Sequence, residues 1–283
     1  MPTYQCPSVP SAPPSPGRSS GRILLASAVL TLTGCSAFLR DTPTPIPTQA
    51  TQLSPVGPAT TLVVFLPGRG DSMEDFDRYN FTAVLRDAGI NADTIAVDAH
   101  MGYYFNRTVI ERLRTDVLEP ARAQGYRRIV LAGVSLGGLG ALLNERDAPG
   151  LVDEIVLFAP YLGDKAALFE QISAAGGPAA WAAGRDPTAG GVEEQIWTFL
   201  GNRSAALPPT WLLYGRDDSL APGHQMLGTL LPPAHVKTVT GAHDWPTWLT
   251  FWRDVCLNSE LFAAERAGVR TGRPDPSKGK PEL

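Results

Sequence analysis

The chain reads as an α/β protein, with a doubly wound, mostly parallel sheet of about six strands and a cap or lid insertion. Three observations predict this. Six short runs, Thr61–Leu66, Thr94–Asp98, Ile129–Ala132, Glu154–Ala159, Thr210–Gly215 and Val236–Val239, alternate with stretches whose apolar residues recur at helical spacing. Most of these runs are apolar along their length, as strands buried on both faces of a parallel sheet must be. A length of 283 residues, 43% hydrophobic and 18% charged, suffices for one such domain with a sizeable core.

The amino terminus stands apart. Residues 1–21 are rich in Pro and Ser, and Arg18 and Arg22 then precede an apolar run, Ile23 to Leu32. That run is too short to span a bilayer and suits a signal peptide. It ends in Leu32-Thr33-Gly34-Cys35, which resembles the lipobox of bacterial lipoproteins. The resemblance implies that residues 1–34 are removed and that Cys35, as first mature residue, carries the lipid that anchors the protein in the bacterial cell envelope. Ser36 follows where an Asp would retain such a protein, which resembles lipoproteins sent on to the periplasmic side of the outer membrane. An ordinary signal peptide or an uncleaved anchor with an incidental cysteine is the alternative. Cleavage and acylation would leave Cys256 unpaired, so no disulfide is expected within the mature chain.

Residues 35–59, dominated by Pro, Thr, Ser and Gln, read as a tether, and residues 266–283 as a disordered tail. Between them lies a folded domain, 60–265. Its first strand run closes in Pro67-Gly68-Arg69-Gly70, and Phe76 to Ala88 gives a helical face that stops at Gly89. The second run leads into the aromatic loop His100–Phe105 and an amphipathic helix beginning near Val109 that ends near Pro120 to Gly125. After the Glu154–Ala159 run, residues 161–207 make a connection too long for an ordinary loop, readable as a cap or as a plain pair of surface helices. A helix from about Gly223 to Leu231, the last strand run, and a closing amphipathic helix containing Trp248, Phe251, Trp252 and Val255 complete the domain.

The chemistry centres on Gly133-Val134-Ser135-Leu136-Gly137, a G-x-S-x-G between a buried strand and a helix whose apolar face is Leu136, Leu139, Leu142 and Leu143. A strand turning straight into a helix brings backbone close on both sides of the central residue, so the flanking positions must be glycine. The Ser135 hydroxyl then stands beside a helix amino terminus, whose free N–H groups favour developing negative charge. A serine hydroxyl needs a base to take its proton and a third group to hold that base. Both follow in the order acid, then histidine: Asp218 lies in Gly215-Arg-Asp-Asp-Ser-Leu-Ala-Pro222, and His243 in Gly241-Ala-His-Asp-Trp245.

With these residues the stretch from about Thr61 to Glu260 resembles the α/β-hydrolase superfamily of serine hydrolases. The resemblance implies Ser135 as nucleophile, His243 as general base and then acid, and Asp218 as the orienting carboxylate, with Asp217 and Asp164 as alternatives for the acid. It implies oxyanion donors at the Leu136 N–H and, by position in the Pro67–Gly70 loop, at the Arg69 N–H. The loop departs from the His-Gly common in the superfamily, which leaves the donor geometry open. The Arg69 guanidinium could meet an anionic substrate or pair with Asp71 or Asp75. The superfamily often begins with extra antiparallel strands, for which the tether leaves little room before Thr61, so a reduced version of the fold is expected.

Tyr103, Tyr104 and Trp245, with the cap segment, are expected to line an apolar acyl pocket. The remaining histidines, His100, His224 and His235, have no metal-ligand spacing, so no metal is expected, and the resemblance to serine hydrolases implies no cofactor. A net charge of −4 without a basic run argues against nucleic-acid binding. The reading is a lipid-anchored serine esterase acting on small-molecule or lipid esters, with thioesters as a further option. Its alternatives are an acyltransferase, a cofactor-free perhydrolase, and a catalytically silent lipoprotein that binds a ligand or an envelope partner.

Overall fold

The structure, a computed structural model, describes residues 40–53 and 59–266. Residues 1–34, read above as a signal peptide, Cys35 and residues 267–283 lie outside the described residues. The sheet has seven strands: β1 (Thr48–Thr51), β2 (Thr61–Leu66), β3 (Asp93–Val97), β4 (Arg128–Val134), β5 (Glu154–Phe158), β6 (Thr210–Gly215) and β7 (Val236–Val239). They run in the order β1-β3-β2-β4-β5-β6-β7, all parallel except β1, which is antiparallel to β3. The strand order reverses between β2 and β4. In open α/β sheets this switch point opens a crevice at the carboxyl ends of the strands, and there the loops after β2 and β4 face each other.

Every residue of β2 is buried, as is every residue of β4 after Arg128, in keeping with their uniformly apolar sequences. On one face lie α1 (Phe81–Asp87) and the closing helix; on the other lies the helix after β4. Phe65, Phe76, Phe81, Phe158 and Trp252 meet in offset and edge-to-face pairs with centroids 4.7 to 6.0 Å apart. Such pairs contribute about 0.5–1.5 kcal/mol each beyond their buried area. The Trp252 indole N–H donates to the Phe81 carbonyl at 2.9 Å, so the polar atom of this buried ring is satisfied.

After α2 (Met101–Phe105), one continuous helical stretch, α3, runs through Val109–Arg112, Leu113–Leu118 and Glu119–Ala123, its middle part wound as a π-helix. Pro120 explains the widening: it has no N–H for the Asp116 carbonyl, and its ring would crowd that carbonyl in a regular α-helix. The other α-helices of five or more residues are α4 (Leu136–Asp147), α5 (Ala166–Ala174), α6 (Pro178–Ala182), α7 (Val192–Arg203), α8 (Ala221–Gly228) and α9 (Trp245–Asn258). Among the described residues no helix is long and apolar enough to cross a membrane.

Two sequence expectations need correction here. Residues 40–53, read as part of a tether, are strapped along the domain. The Asp98 N–H donates to the Pro47 carbonyl at 2.9 Å, the Ile46 N–H to Asp116 at 2.9 Å, and the Leu53 N–H to Asp93 at 3.0 Å. Arg40 pairs with Asp98, and Ile46 and Leu53 are buried. This strap adds a seventh strand to the six expected. It escaped notice because β1 is an exposed edge held by backbone pairing, which needs no apolar pattern. At the other end Arg266, assigned to the tail, donates to the Cys256 carbonyl at 2.6 Å and so belongs to the domain.

The segment 161–207 folds into α5, α6 and α7. Helix α7 packs against α4 as the crossover between β5 and β6, and the Trp197 indole N–H donates to the Leu162 carbonyl at 2.9 Å. The segment is therefore largely an ordinary crossover layer and not a cap over the switch point.

Candidate active site

The turn from β4 into α4 places Ser135 at the switch point. Its φ of 50° and ψ of −110° lie outside the ordinary regions for a side-chain-bearing residue, a conformation costing of order 1–3 kcal/mol. Four hydrogen bonds hold it there: Ser135 N–H to the Phe158 carbonyl at 2.8 Å, and the N–H groups of Tyr161, Gly138 and Leu139 to the Ser135 carbonyl at 2.8, 3.0 and 3.2 Å. The flanking glycines are obligatory on steric grounds. A Cβ at Gly133 would lie 2.3 Å from the Gly137 carbonyl oxygen, and one at Gly137 would lie 2.1 Å from that of Leu66.

The loops after β6 and β7 come together because Gly215 admits them: a Cβ there would sit 2.1 Å from the Gly241 oxygen. Asp217 staples the two loops, its N–H donating to the Gly241 carbonyl at 2.9 Å and its carboxylate accepting from the Gly241 N–H at 3.0 Å. Asp218 turns inward. Its side chain is 0% exposed, and Oδ1 accepts from the Leu220 N–H at 2.8 Å. Its Oδ2 lies 2.7 Å from His243 Nδ1, and His243 Nε2 lies 2.9 Å from Ser135 Oγ. A buried carboxylate at Nδ1 requires a proton there, which leaves Nε2 bare to accept from the serine hydroxyl. Burial pushes the Asp218 carboxyl upward, but the hydrogen bonds from His243 and Leu220 outweigh it and hold the group below the usual carboxylate range. The edge of Trp248 packs against the imidazole at 5.1 Å.

Asp164, the other alternative for the acid, lines the pocket without contacting His243, and Asp217 is committed to Gly241. Behind the acid loop His224 is fully buried on α8, and its Nε2 donates to the Pro160 carbonyl at 3.0 Å. Burial pushes its pKa down to about 4, so the ring is a neutral prop for the turn that carries Tyr161 N–H onto Ser135.

The Leu136 and Arg69 N–H groups meet no backbone or side-chain acceptor among the described residues. Gly68 brings the β2 loop against the serine: a Cβ there would lie 3.5 Å from Ser135 Cβ and 2.5 Å from an Asp71 carboxylate oxygen. The Arg69 guanidinium lines the pocket and, among the described residues, pairs with neither Asp71 nor Asp75. Asp75 instead pairs with Arg78. Asp71 accepts from the Trp245 indole N–H at 3.2 Å, and burial pushes its carboxyl above the usual range against that bond.

The pocket at Ser135 has a volume of about 630 Å³, ample for a small ester. Trp245 lines it as expected, stacked on Tyr79 with ring centroids 4.6 Å apart. Tyr103 and Tyr104 do not. Tyr103 is 0% exposed and its hydroxyl donates to the Pro43 carbonyl at 2.8 Å, beneath the strap. Tyr104 reaches under the elbow and donates to the Leu136 carbonyl at 3.2 Å, and burial pushes its phenol pKa up. Met101, Asp71 and Tyr161 take part in the lining and were missed in the sequence. Asp71 follows β2, Met101 follows β3 and Tyr161 follows β5, so each lies just past the carboxyl end of a strand at or beside the switch point, which is the signal that would have found them. Of the presumed cap only Tyr161 and Asp164, both ahead of α5, reach this pocket. Among the described residues no three His, Cys, Asp or Glu side chains converge as a metal-ligand set.

A strained serine between glycines at the switch point of such a sheet points to a class of protein, and comparison with known families agrees with the fold. The alpha/beta hydrolase family model matches residues 63–275. The chain belongs to the alpha/beta hydrolase family and is a hydrolase. Among solved structures it is similar to a monoacylglycerol lipase of Paleococcus ferrophilus, at 16% identity over 81% of this chain and 99% of that one with a TM-score of 0.51. It is also similar to an esterase of the archaeon Pyrobaculum calidifontis, at 17% identity over 80% of this chain and 81% of that one with a TM-score of 0.51. At these identities the likeness is one of fold. No curated protein sequence matches the chain.

Proposed function

We propose that the protein hydrolyses carboxylic esters, thioesters included, through an acyl-Ser135 intermediate. The observation that carries this reading is the chain of contacts from Ser135 Oγ to His243 Nε2 at 2.9 Å and from His243 Nδ1 to Asp218 at 2.7 Å. Ser135 Oγ attacks the ester carbonyl as its proton passes to His243 Nε2, and the imidazolium that forms is stabilised by the buried Asp218 carboxylate. The carbonyl oxygen takes up the negative charge between the Leu136 and Arg69 N–H groups at the amino terminus of α4. Collapse breaks the carbonyl–oxygen bond to the alcohol, which leaves with the proton from His243. Water then attacks the acyl-serine with the same histidine as base, and the acid departs. A fluorophosphonate, which reacts only with an activated serine, is expected to label Ser135 of the folded protein and to fail after His243→Ala. Absence of label on folded wild-type protein would favour a silent binding protein.

We infer further that the protein is a lipoprotein of the bacterial cell envelope, acylated at Cys35 in the Leu32-Thr33-Gly34-Cys35 sequence. The substrates would then be esters met at a membrane, either lipids or small molecules. Cys35→Ser is expected to move the protein from the membrane to the soluble fraction on ultracentrifugation; continued sedimentation with membranes would refute the acylation.

A further inference from the structure

An open groove of about 1190 Å³ lies beside the catalytic pocket, walled by α5 and α6 on one side and α8 on the other. The two spaces share Asp164, Ser219 and Leu220. Leu220 belongs to the same turn that holds Asp218, through its N–H, and lines both spaces, so it stands at the boundary between the serine and the groove. We propose that the groove is the binding site for an uncharged alkyl arm of the ester, of medium to long chain length. This rests on the reading of Ser135 as the acylated nucleophile.

The lining supports that occupant. Phe169, Leu220, Met226 and Leu230 present half-buried apolar surface along the groove, with Pro178 buried behind them. Half-exposed apolar side chains concentrated in one concavity are the signature of a site that covers them with ligand. Asp164 and Glu170 are the charged residues of the lining, and both are acidic. Among the described residues no cation lines the groove to receive a carboxylate or phosphate, so a neutral hydrocarbon fits where an anionic group would be repelled. The groove is also built firmly. A Cβ at Gly223 would lie 3.1 Å from the Phe169 ring, so α8 approaches α5 closely at that point, and Phe169 is fixed edge-on to buried Trp197 with centroids 6.1 Å apart. The left-handed pair Gly176 (φ 94°) and Gly177 (φ 108°) turns the chain sharply from α5 into α6 and shapes the far end.

The test is the chain-length profile of p-nitrophenyl esters from acetate to dodecanoate, with alkyl acetates of the same lengths as a second series. In at least one series kcat/KM is expected to rise tenfold or more with length, and that series names the arm the groove holds. Met226→Trp on one wall and Ala179→Trp on the other should each lower the ratio of long-chain to acetate kcat/KM by tenfold or more. Two variants on opposite walls guard against one that folds poorly. Independently of turnover, an uncharged coumarin dodecyl ether should bind Ser135→Ala protein saturably by fluorescence anisotropy, with affinity reduced at least tenfold by either tryptophan. An active enzyme with flat profiles in both series and no probe binding overturns the groove and leaves Ser135 as nucleophile. Probe binding sensitive to both tryptophans, with no ester turned over, keeps the groove as an alkyl site and overturns the reaction. A protein whose dimerisation is abolished by Met226→Trp and which binds no probe would assign the surface to a second copy of the chain and overturn the proposal.

Discussion

Ser135→Ala is expected to lower ester turnover by about 10⁴-fold or more. Its midpoint of thermal unfolding should stay within a few degrees of wild type. The Oγ contributes one partly buried hydrogen bond, to His243, and the loss of about 1 kcal/mol moves the melting of a domain this size by roughly 2–4 °C. The elbow itself is held by backbone bonds and by the glycines around it, none of which the substitution touches. Initial rates and calorimetry on the same preparation check the prediction; turnover above about one per cent of wild type would mean that another residue is the nucleophile.

The second large effect concerns two adjacent aspartates. Asp218→Asn is expected to cost about 10⁴-fold in kcat with little change in KM, because a neutral amide no longer enforces the proton on Nδ1 or stabilises the imidazolium. Asp217→Asn should cost less than about tenfold, since an amide oxygen can still accept from the Gly241 N–H and the staple between the two loops survives. A pair of steady-state measurements decides it. If Asp217→Asn proves the more damaging, the orienting carboxylate moves by one residue and the geometry at Asp218 becomes structural.

How much of this was legible beforehand depends on where the information lies. The six parallel strands declare themselves because burial on both faces forces unbroken apolar runs such as Leu62–Leu66 and Ile129–Ala132. The elbow declares itself because close backbone approach forbids a Cβ at Gly133 and Gly137. Composition does not separate Asp217 from Asp218. Both are acidic and follow the same strand; the spacing to Gly215 and Pro222 favours Asp218 only by resemblance, and in space the turn that buries Asp218 and exposes Asp217 sets them apart. Tyr103 and Tyr104 misled for a related reason: aromatics near a site serve the core as readily as a ligand, and here one meets the strap and the other the underside of the elbow. The edge strand in residues 40–53 left no apolar trace, because hydrogen bonds to Asp93, Asp98 and Asp116 do much of its anchoring.

That strap changes the reach of the protein. With Cys35 acylated as proposed, a free tether to residue 59 would let the domain roam over many tens of ångströms above a bilayer. Arg40 is instead fixed to Asp98 on the domain, five Cα steps from Cys35, a leash of roughly 18 Å at full stretch. The Arg40 carbonyl also lies against Gly102, on the same helix as Met101 of the catalytic pocket. The enzyme would thus search for esters in two dimensions, its mouth held in the layer of solution next to the lipid headgroups. There the effective concentration of membrane-borne substrate is set by surface density, so turnover on vesicles should follow the mole fraction of ester in the bilayer rather than its bulk amount.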